Sequence, residues 1–283
     1  MFNSRINYLL WAASNIRRER SCPSCGSKQS RLVYTKYLVT SLHECSDCSL
    51  RYRVPTNRGN TQRFYEEEYE QGFTTSCPTD DDLNRMLAAH FRNTEKDFGT
   101  YIGVLKAAGL ATGASILDFG ASWGYGSWQF HQAGFLAYSL ELSQRRSDYA
   151  RKKLNCQTIT DWHELPGPVD CFFSAHVVEH LENPNLLWNA ASECLKPGGL
   201  FVCFCPNGNP DLENASNRHY HQLWGNVHPL LVTPQFLRRN STCYNLTPEL
   251  YSSPYNLDRI AAHEADHNPV GDELLLLARR NAL

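Results

Sequence analysis

From residue 115 onward, short apolar runs alternate with stretches whose apolar positions recur at helical spacing. Residues 115–118, 135–141, 157–161, 169–175, 200–205 and 273–279 are brief, apolar and rich in β-branched or aromatic side chains, the signature of strands. Between them, residues 127–133 and 144–154 predict helices. A third is announced by Asn183 as N-cap and Pro184 in the first turn, and runs to Leu195, where Lys196-Pro-Gly-Gly199 stops it. Strands alternating with helices in this way predict an α/β fold: a mainly parallel, Rossmann-like sheet with helices on both faces. Upstream, residues 80–110 space Leu83, Met86 or Leu87, His90, Phe91, Phe98, Ile102 and Leu105 as a helical stripe, with Gly99 and Gly103 as places where it can split. Residues 31–40 read as a strand, and residues 1–20 as an amphipathic helix.

Length and composition add a boundary and a front end. A chain of 283 residues holds one large α/β domain and a small accessory. No apolar run approaches the roughly 20 residues a membrane span needs. Of the eleven cysteines, four form Cys22-Pro-Ser-Cys25 and Cys45-Ser-Asp-Cys48, and the rest are scattered singly. That distribution suits a metal site in a reducing, cytoplasmic compartment rather than a disulfide scaffold. Two Cys-x-x-Cys knuckles across a hairpin place four thiolates around one tetrahedral, structural zinc, giving a zinc ribbon over residues 21–56. Redox chemistry would need one such pair beside a βαβ unit. Residues 57–110 then form a helical connecting region, and residues 111–283 the main domain. Residues 1–60 carry ten Lys/Arg against three Asp/Glu, although the chain as a whole has a net charge of −2. Such a basic front end suits an anionic partner without naming one.

The candidate chemistry centres on Asp118-Phe-Gly-Ala-Ser-Trp-Gly-Tyr125, where a strand ends in an acid and a glycine-rich turn opens into a helix. Ligands of open α/β sheets sit beyond the carboxyl ends of the strands. The spacing of Gly120 and Gly124 does not make a dinucleotide fingerprint. Asp118 would repel a pyrophosphate but suits a ligand with a cationic amino group and a carboxylate. S-adenosylmethionine is one, and adds a sulfonium. The stretch resembles motif I of class I S-adenosylmethionine-dependent methyltransferases, read here as Asp118, Gly120, Ser122 and Gly124, with Ser122 in place of the middle glycine. Tyr125 follows at the helix start. Glu141, at the end of the second strand, stands where an acid accepts both ribose hydroxyls. Asp161 and Trp162, after the third strand, could meet the adenine, the acid on its amino group and the indole near its face.

The fourth strand runs into Ala175-His-Val-Val-Glu-His180, which is similar to the His-x-x-Glu-His block of a large group of small-molecule methyltransferases. The similarity continues through residues 195–200 and Pro206-Asn207, and covers roughly residues 111–207. The Cys-x-x-Cys front end and residues 64–69 look like a zinc-ribbon branch of that group. The resemblance implies a seven-stranded methyltransferase sheet, a cofactor beside Ala175, and an acceptor such as a sugar, a nucleotide-sugar or another small metabolite. Methyl transfer is an in-line displacement, so the protein's main work is alignment. A hydroxyl acceptor also needs a base, and His176 or His180 is the candidate.

Residues 206–233, dense in polar and aromatic groups, read as a lid and acceptor pocket. His219, His221 and His228 within them are a weak second metal pattern. His263-Glu-Ala-Asp-His267 matches a zinc-protease pattern formally, but Pro269 and Gly271 follow at once and no long helix carries it. Cys203 and Cys205 read as buried, inert thiols. Two other readings remain at this level: an RNA methyltransferase gripping phosphates with its basic ribbon, and a non-catalytic binding module in which Ser122 marks decay of the fold. Acceptor atom and oligomeric state are not encoded legibly.

Overall fold

The computed structural model describes residues 2–15, 20–56, 76–215, 220 and 222–282. The alternating part of the sequence builds a seven-stranded sheet. Its strands are β4 (Ser115–Phe119), β5 (Leu136–Leu140), β6 (Gln157–Ile159), β7 (Val169–Ala175), β8 (Leu195–Pro206), β10 (Leu246–Ser252) and β11 (Glu273–Arg280). They lie in the order β10-β11-β8-β7-β4-β5-β6. All pairs are parallel except those made by β11, which runs antiparallel to both β8 and β10. The chain starts in the middle at β4, lays β5 and β6 to one side, and returns to lay β7 on the other. The winding thus reverses between β4 and β7, and open α/β sheets bind ligands in the crevice beyond the strand ends at such a reversal.

Strand alternation sorts the core into two layers. Leu117, Phe119, Phe172, Phe201, Cys203 and Cys205 face one side, while Ile116, Cys171, Phe173, Leu200, Val202 and Phe204 face the other. On the first side pack α6 (Asn185–Cys194) and α8 (Pro234–Cys243). Trp188 of α6 is fully buried edge-on between Phe201 and Phe236, and its indole N–H donates to Ser241 Oγ at 3.2 Å. A side chain of that size buried with its one donor satisfied contributes on the order of 2–3 kcal/mol. On the second side lie α3 (Gly99–Ala107) and α4 (Tyr125–Gln132). Cys203 and Cys205 are buried thiols, as their alternation along β8 predicts.

The structure corrects several boundaries. Residues 31–40 are not one strand: Tyr37 and Leu38 take positive φ and turn the chain from β1 (Ser30–Lys36) into β2 (Thr40–Cys45). The stripe over 80–110 is two helices, α2 (Asp80–Ala88) and α3, separated by a turn in which His90, Phe91 and Asn93 adopt positive φ. The break thus precedes Gly99, whose N–H donates to Asp97 Oδ1 at 2.8 Å as α3 begins. The Lys196–Gly199 turn is absorbed into β8 as a bulge, the register jumping from Val169↔Leu195 to Cys171↔Leu200. β10 and α8, which carry weak sequence signals, are additional elements. Residues 263–267 lie in irregular chain after the short helix α9 (Leu257–Ala261), which disposes of the protease pattern.

The cysteine-bearing front end is not a free appendage. β1, β2 and β3 (Arg51–Val54) form a meander whose fourth strand is β9 (Leu230–Leu231), supplied by the stretch after β8. The Arg53 guanidinium, 1% exposed, donates to the carbonyls of Gly225 and Asn226 at 3.0 and 3.1 Å and lies over the rings of Tyr8 and Trp11, the latter two in α1 (Phe2–Asn15). Arg51 pairs with Glu44 at 2.7 Å and with Glu213 at 3.3 Å, and hydrogen-bonds Tyr220. Ser24 and Asn185 exchange two hydrogen bonds across the junction with α6. The stretch expected as a lid is, over its described residues, largely a brace: Tyr220, Trp224, Leu230 and Leu231 are buried against the ribbon. His219, His221 and residues 64–69 lie outside the described residues.

Candidate functional site

The glycine turn is dictated by sterics. Gly120 and Gly124 sit at φ +82° and +85°, which residues with a Cβ rarely adopt. A Cβ at Gly120 would lie 2.5 Å from Val177 Cγ2, and one at Gly124 would lie 2.6 Å from Ala150 Cβ. The first contact shows that the turn after β4 and the His-x-x-Glu-His block after β7 touch each other, as the crossed winding requires. Ser122, in place of the motif's middle glycine, takes φ +53° and donates its N–H to Glu141 Oε2 at 2.9 Å. Its hydroxyl is buried with no hydrogen-bond partner among the described residues.

Two acids flank this turn. Asp118 is 3% exposed and accepts a 2.7 Å hydrogen bond from Ser127 Oγ of α4. Burial, reinforced by the charge of Glu141, pushes its carboxyl up to about 7. Burial likewise raises Glu141, although Ser143 and Ser122 donate backbone N–H groups to it. Each carboxylate oxygen retains a lone pair for a further donor. Such a pair at the mouth of a crevice favours a cationic ligand, which would lower the cost of ionising both acids.

The remaining candidates divide. Ala175 ends β7, and the next residue, His176, donates its N–H to Phe204 O. Tyr125 is engaged by an aromatic cluster, 4.8 Å from Trp123 and edge-on to Phe98, with Lys96 over its face. Asp161 caps the short 3-10 helix Trp162–Glu164 and accepts from His163, both at its backbone N–H and at Nδ1 (2.6 Å). The Trp162 indole lies against Phe119 and donates to Glu193 at 2.8 Å. Both therefore stand beyond β6 near the crevice rim, already engaged with neighbours.

His176 and His180 have different surroundings. His176 is clasped by two carboxylates, Glu179 Oε1 at 3.3 Å from Nδ1 and Glu273 Oε2 at 2.7 Å from Nε2. Burial alone would depress its imidazole, but these hydrogen bonds and charges outweigh that and raise it to about 10. The two carboxylates thus favour its protonated form, in contrast to a histidine left to titrate near 7. Glu273 in turn accepts from Tyr255 at 2.6 Å and Tyr101 at 3.4 Å. His180 Nδ1 donates to Val227 O at 2.9 Å, and its ring lies edge-on to His228, 4.5 Å between centroids. Glu179 is buried; desolvation opposes its charge, yet the hydrogen bond from His176 and the nearby imidazoles hold it at about 2. Sequence reasoning missed Glu273, Tyr101 and Tyr255. A lone acid opening the apolar run Leu274–Leu277 was the one available signal for Glu273.

The four front-end cysteines converge, with Cys22 and Cys48 Sγ 3.5 Å apart, Cys25 and Cys45 Sγ also 3.5 Å apart, and all four within 4.8 Å of one another. Sulfurs on a tetrahedral zinc at about 2.3 Å stand roughly 3.8 Å apart, so the set fits. Cys22 is lowered to about 5 by the hydrogen bond from Cys48, which is itself raised by that bond. Packed thiols cannot all ionise without a cation among them.

Residues 117–203 match a family described as a methyltransferase domain. No curated protein matches the chain. Among solved structures, the plantazolicin methyltransferase BpumL in complex with SAH is similar over 72% of this chain and 92% of its own, at 13% identity and a TM-score of 0.49. An S-adenosylmethionine-dependent methyltransferase from Clostridium acetobutylicum is similar over 71% and 98%, at 11% identity and 0.48. No helix among the described residues is long and apolar enough to cross a membrane. The match begins in β4 and ends in β8, so it takes in the glycine turn, Glu141 and the His-x-x-Glu-His block. Residues 117–203 thus match a methyltransferase-domain family and lie within a seven-stranded, mostly parallel, Rossmann-like sheet.

Proposed function

We propose that the protein transfers a methyl group from S-adenosylmethionine to a small hydroxylated or amino-bearing metabolite, with a sugar or nucleotide-sugar as the first class to test. The carrying observation is the pair of raised carboxyls, Asp118 and Glu141, around a turn whose glycines cannot bear side chains. Asp118 would answer the cationic end of the cofactor, Glu141 its ribose hydroxyls, and Gly120, Ser122 and Gly124 its close backbone approach, with Tyr125, Asp161, Trp162 and Ala175 around it. The acceptor would lie against the His-x-x-Glu-His block. His176, whose protonated form the two carboxylates favour, suits orienting an acceptor oxygen by donating a hydrogen bond. The proton-accepting role then falls to His180. A zinc ion on Cys22, Cys25, Cys45 and Cys48 would be structural, since the protein supplies all four ligands.

Two observations weigh against the alternatives. Arg51 and Arg53, the charges nearest the ribbon core, are buried and engaged with the segment before β9. They are thus withdrawn from any grip on RNA phosphates. Ser122 holds the backbone angle the turn needs while donating to Glu141, so it is no sign of decay. Calorimetric titration of the zinc-replete protein with S-adenosylmethionine and, separately, NAD tests the proposal. Micromolar binding of the first alone, abolished by Asp118→Ala in a folded variant, is expected. Failure of the folded protein to bind it, with and without candidate acceptors, would overturn the reading.

A further inference from the structure

Glu179, His180 and His228 come together although 48 residues separate the last two. One ligand atom from each lies within 4.8 Å of the others. Glu179 is 1% exposed, and its Oε2 has no hydrogen-bond partner among the described residues, while Oε1 faces His176. A buried carboxylate oxygen without a donor is costly unless something positive occupies the space before it.

The two imidazoles are aimed from behind. His180 Nδ1 lies 2.9 Å from Val227 O, and His228 Nδ1 lies 3.2 Å from Leu223 O. A carbonyl can only accept, so both rings carry a proton on Nδ1, and a neutral ring so held presents the lone pair of Nε2. Ring nitrogens fixed in this way by backbone carbonyls are the usual support of metal-ligating histidines. The loop bearing His228 is itself fastened by the ribbon, through Arg53 N–H to Pro229 O at 2.8 Å and the guanidinium contacts to Gly225 and Asn226. Two imidazoles and one carboxylate make the donor set of a divalent first-row transition ion.

We infer that Glu179, His180 and His228 form a second metal site, distinct from the four thiolates, for a divalent ion such as Mn2+, Fe2+ or Zn2+. Bonds of about 2.1 Å would require the donors to draw in by roughly an ångström. The binding claim is independent of the methyltransferase reading; its use in catalysis rests on that reading. Val177, between His176 and the ligands, touches the glycine turn, so the ion would lie beside the point of methyl transfer. It would take an acceptor hydroxyl as a ligand, replacing His180 in the role given above. The hydroxyl proton leaves to solvent, the oxygen forms the new bond to the methyl carbon, and the carbon–sulfur bond breaks with its electron pair staying on sulfur.

The test is equilibrium dialysis of the full-length, zinc-replete protein against Mn2+, Fe2+, Co2+, Ni2+ and Zn2+ in turn, followed by metal analysis. One equivalent of at least one ion beyond the thiolate-bound zinc is expected, bound at least tenfold more weakly by His228→Ala and Glu179→Gln, with His263→Ala as an unaffected control. His228→Ala alters only a loop side chain, so it keeps the test valid if Glu179→Gln does not fold. Total metal that never exceeds the thiolate zinc, or extra metal that His228→Ala leaves bound as tightly, overturns the inference. S-adenosylmethionine titration of the same samples reports the cofactor reading separately.

Discussion

Replacing Gly120 by alanine probes the contact between the glycine turn and the His-x-x-Glu-His block directly. The new Cβ would sit 2.5 Å from Val177 Cγ2, where ordinary carbon contacts are about 3.5–4 Å. The backbone angle of +82° adds about 1 kcal/mol for a residue with a side chain. Relieving the overlap by moving Val177 adds roughly 1–3 kcal/mol. Gly120→Ala is therefore expected to cost about 2–4 kcal/mol, read as a lower denaturant midpoint at unchanged slope. The second half of the cycle supplies the discrimination. Val177 Cβ lies 3.6 Å from the same point, an ordinary contact, so Val177→Ala removes the clash while keeping the strain. In the Val177→Ala background, Gly120→Ala should cost only about 1 kcal/mol, a coupling of at least about 1 kcal/mol. An equal cost in both backgrounds would refute the argument that the two segments are in contact.

Removing zinc is expected to unfold residues 20–56 and lower Tm, because a thiolate-bound zinc contributes about 10–16 kcal/mol, comparable with the whole stability of a domain. Circular dichroism and thiol labelling after chelation check this, and an unchanged Tm at full zinc loss would count against it. Stability without ligand should also fall as pH rises from about 4 to about 7. The folded state holds a proton on Asp118 that the unfolded chain releases, so its contribution is complete below the unfolded value and is lost through the folded one near 7. The difference is at most about 4 kcal/mol for a rise of about three units. Asp118→Asn should reduce that slope, leaving the smaller part due to the raised Glu141, in denaturation measured across the window, and a variant with the wild-type slope would contradict the assignment.

Much of this protein was legible because local physics and tertiary structure agree. The brief apolar runs at 115–118 and 169–175 had to be strands, the glycines at 120 and 124 had to be a turn, and two Cys-x-x-Cys pairs across a hairpin had to converge. Each signal depends on neighbours in the chain. The pairing of His176 does not: it depends on Glu273, 97 residues away, brought alongside because β11 inserts antiparallel between β8 and β10. Nor could the sequence reveal that Arg51 and Arg53 are buried in a seam rather than presented to an anion, since that follows from β9 pairing with β3. His228 meets His180 for the same reason. The sequence by itself determined the alternating sheet, the glycine turn and the cysteine cluster, because periodicity, backbone sterics and short spacing are properties of adjacent residues. Tertiary structure alone decided which charges pair, which histidine two carboxylates clasp and what lies opposite the His-x-x-Glu-His block, because those depend on strand order and long-range register.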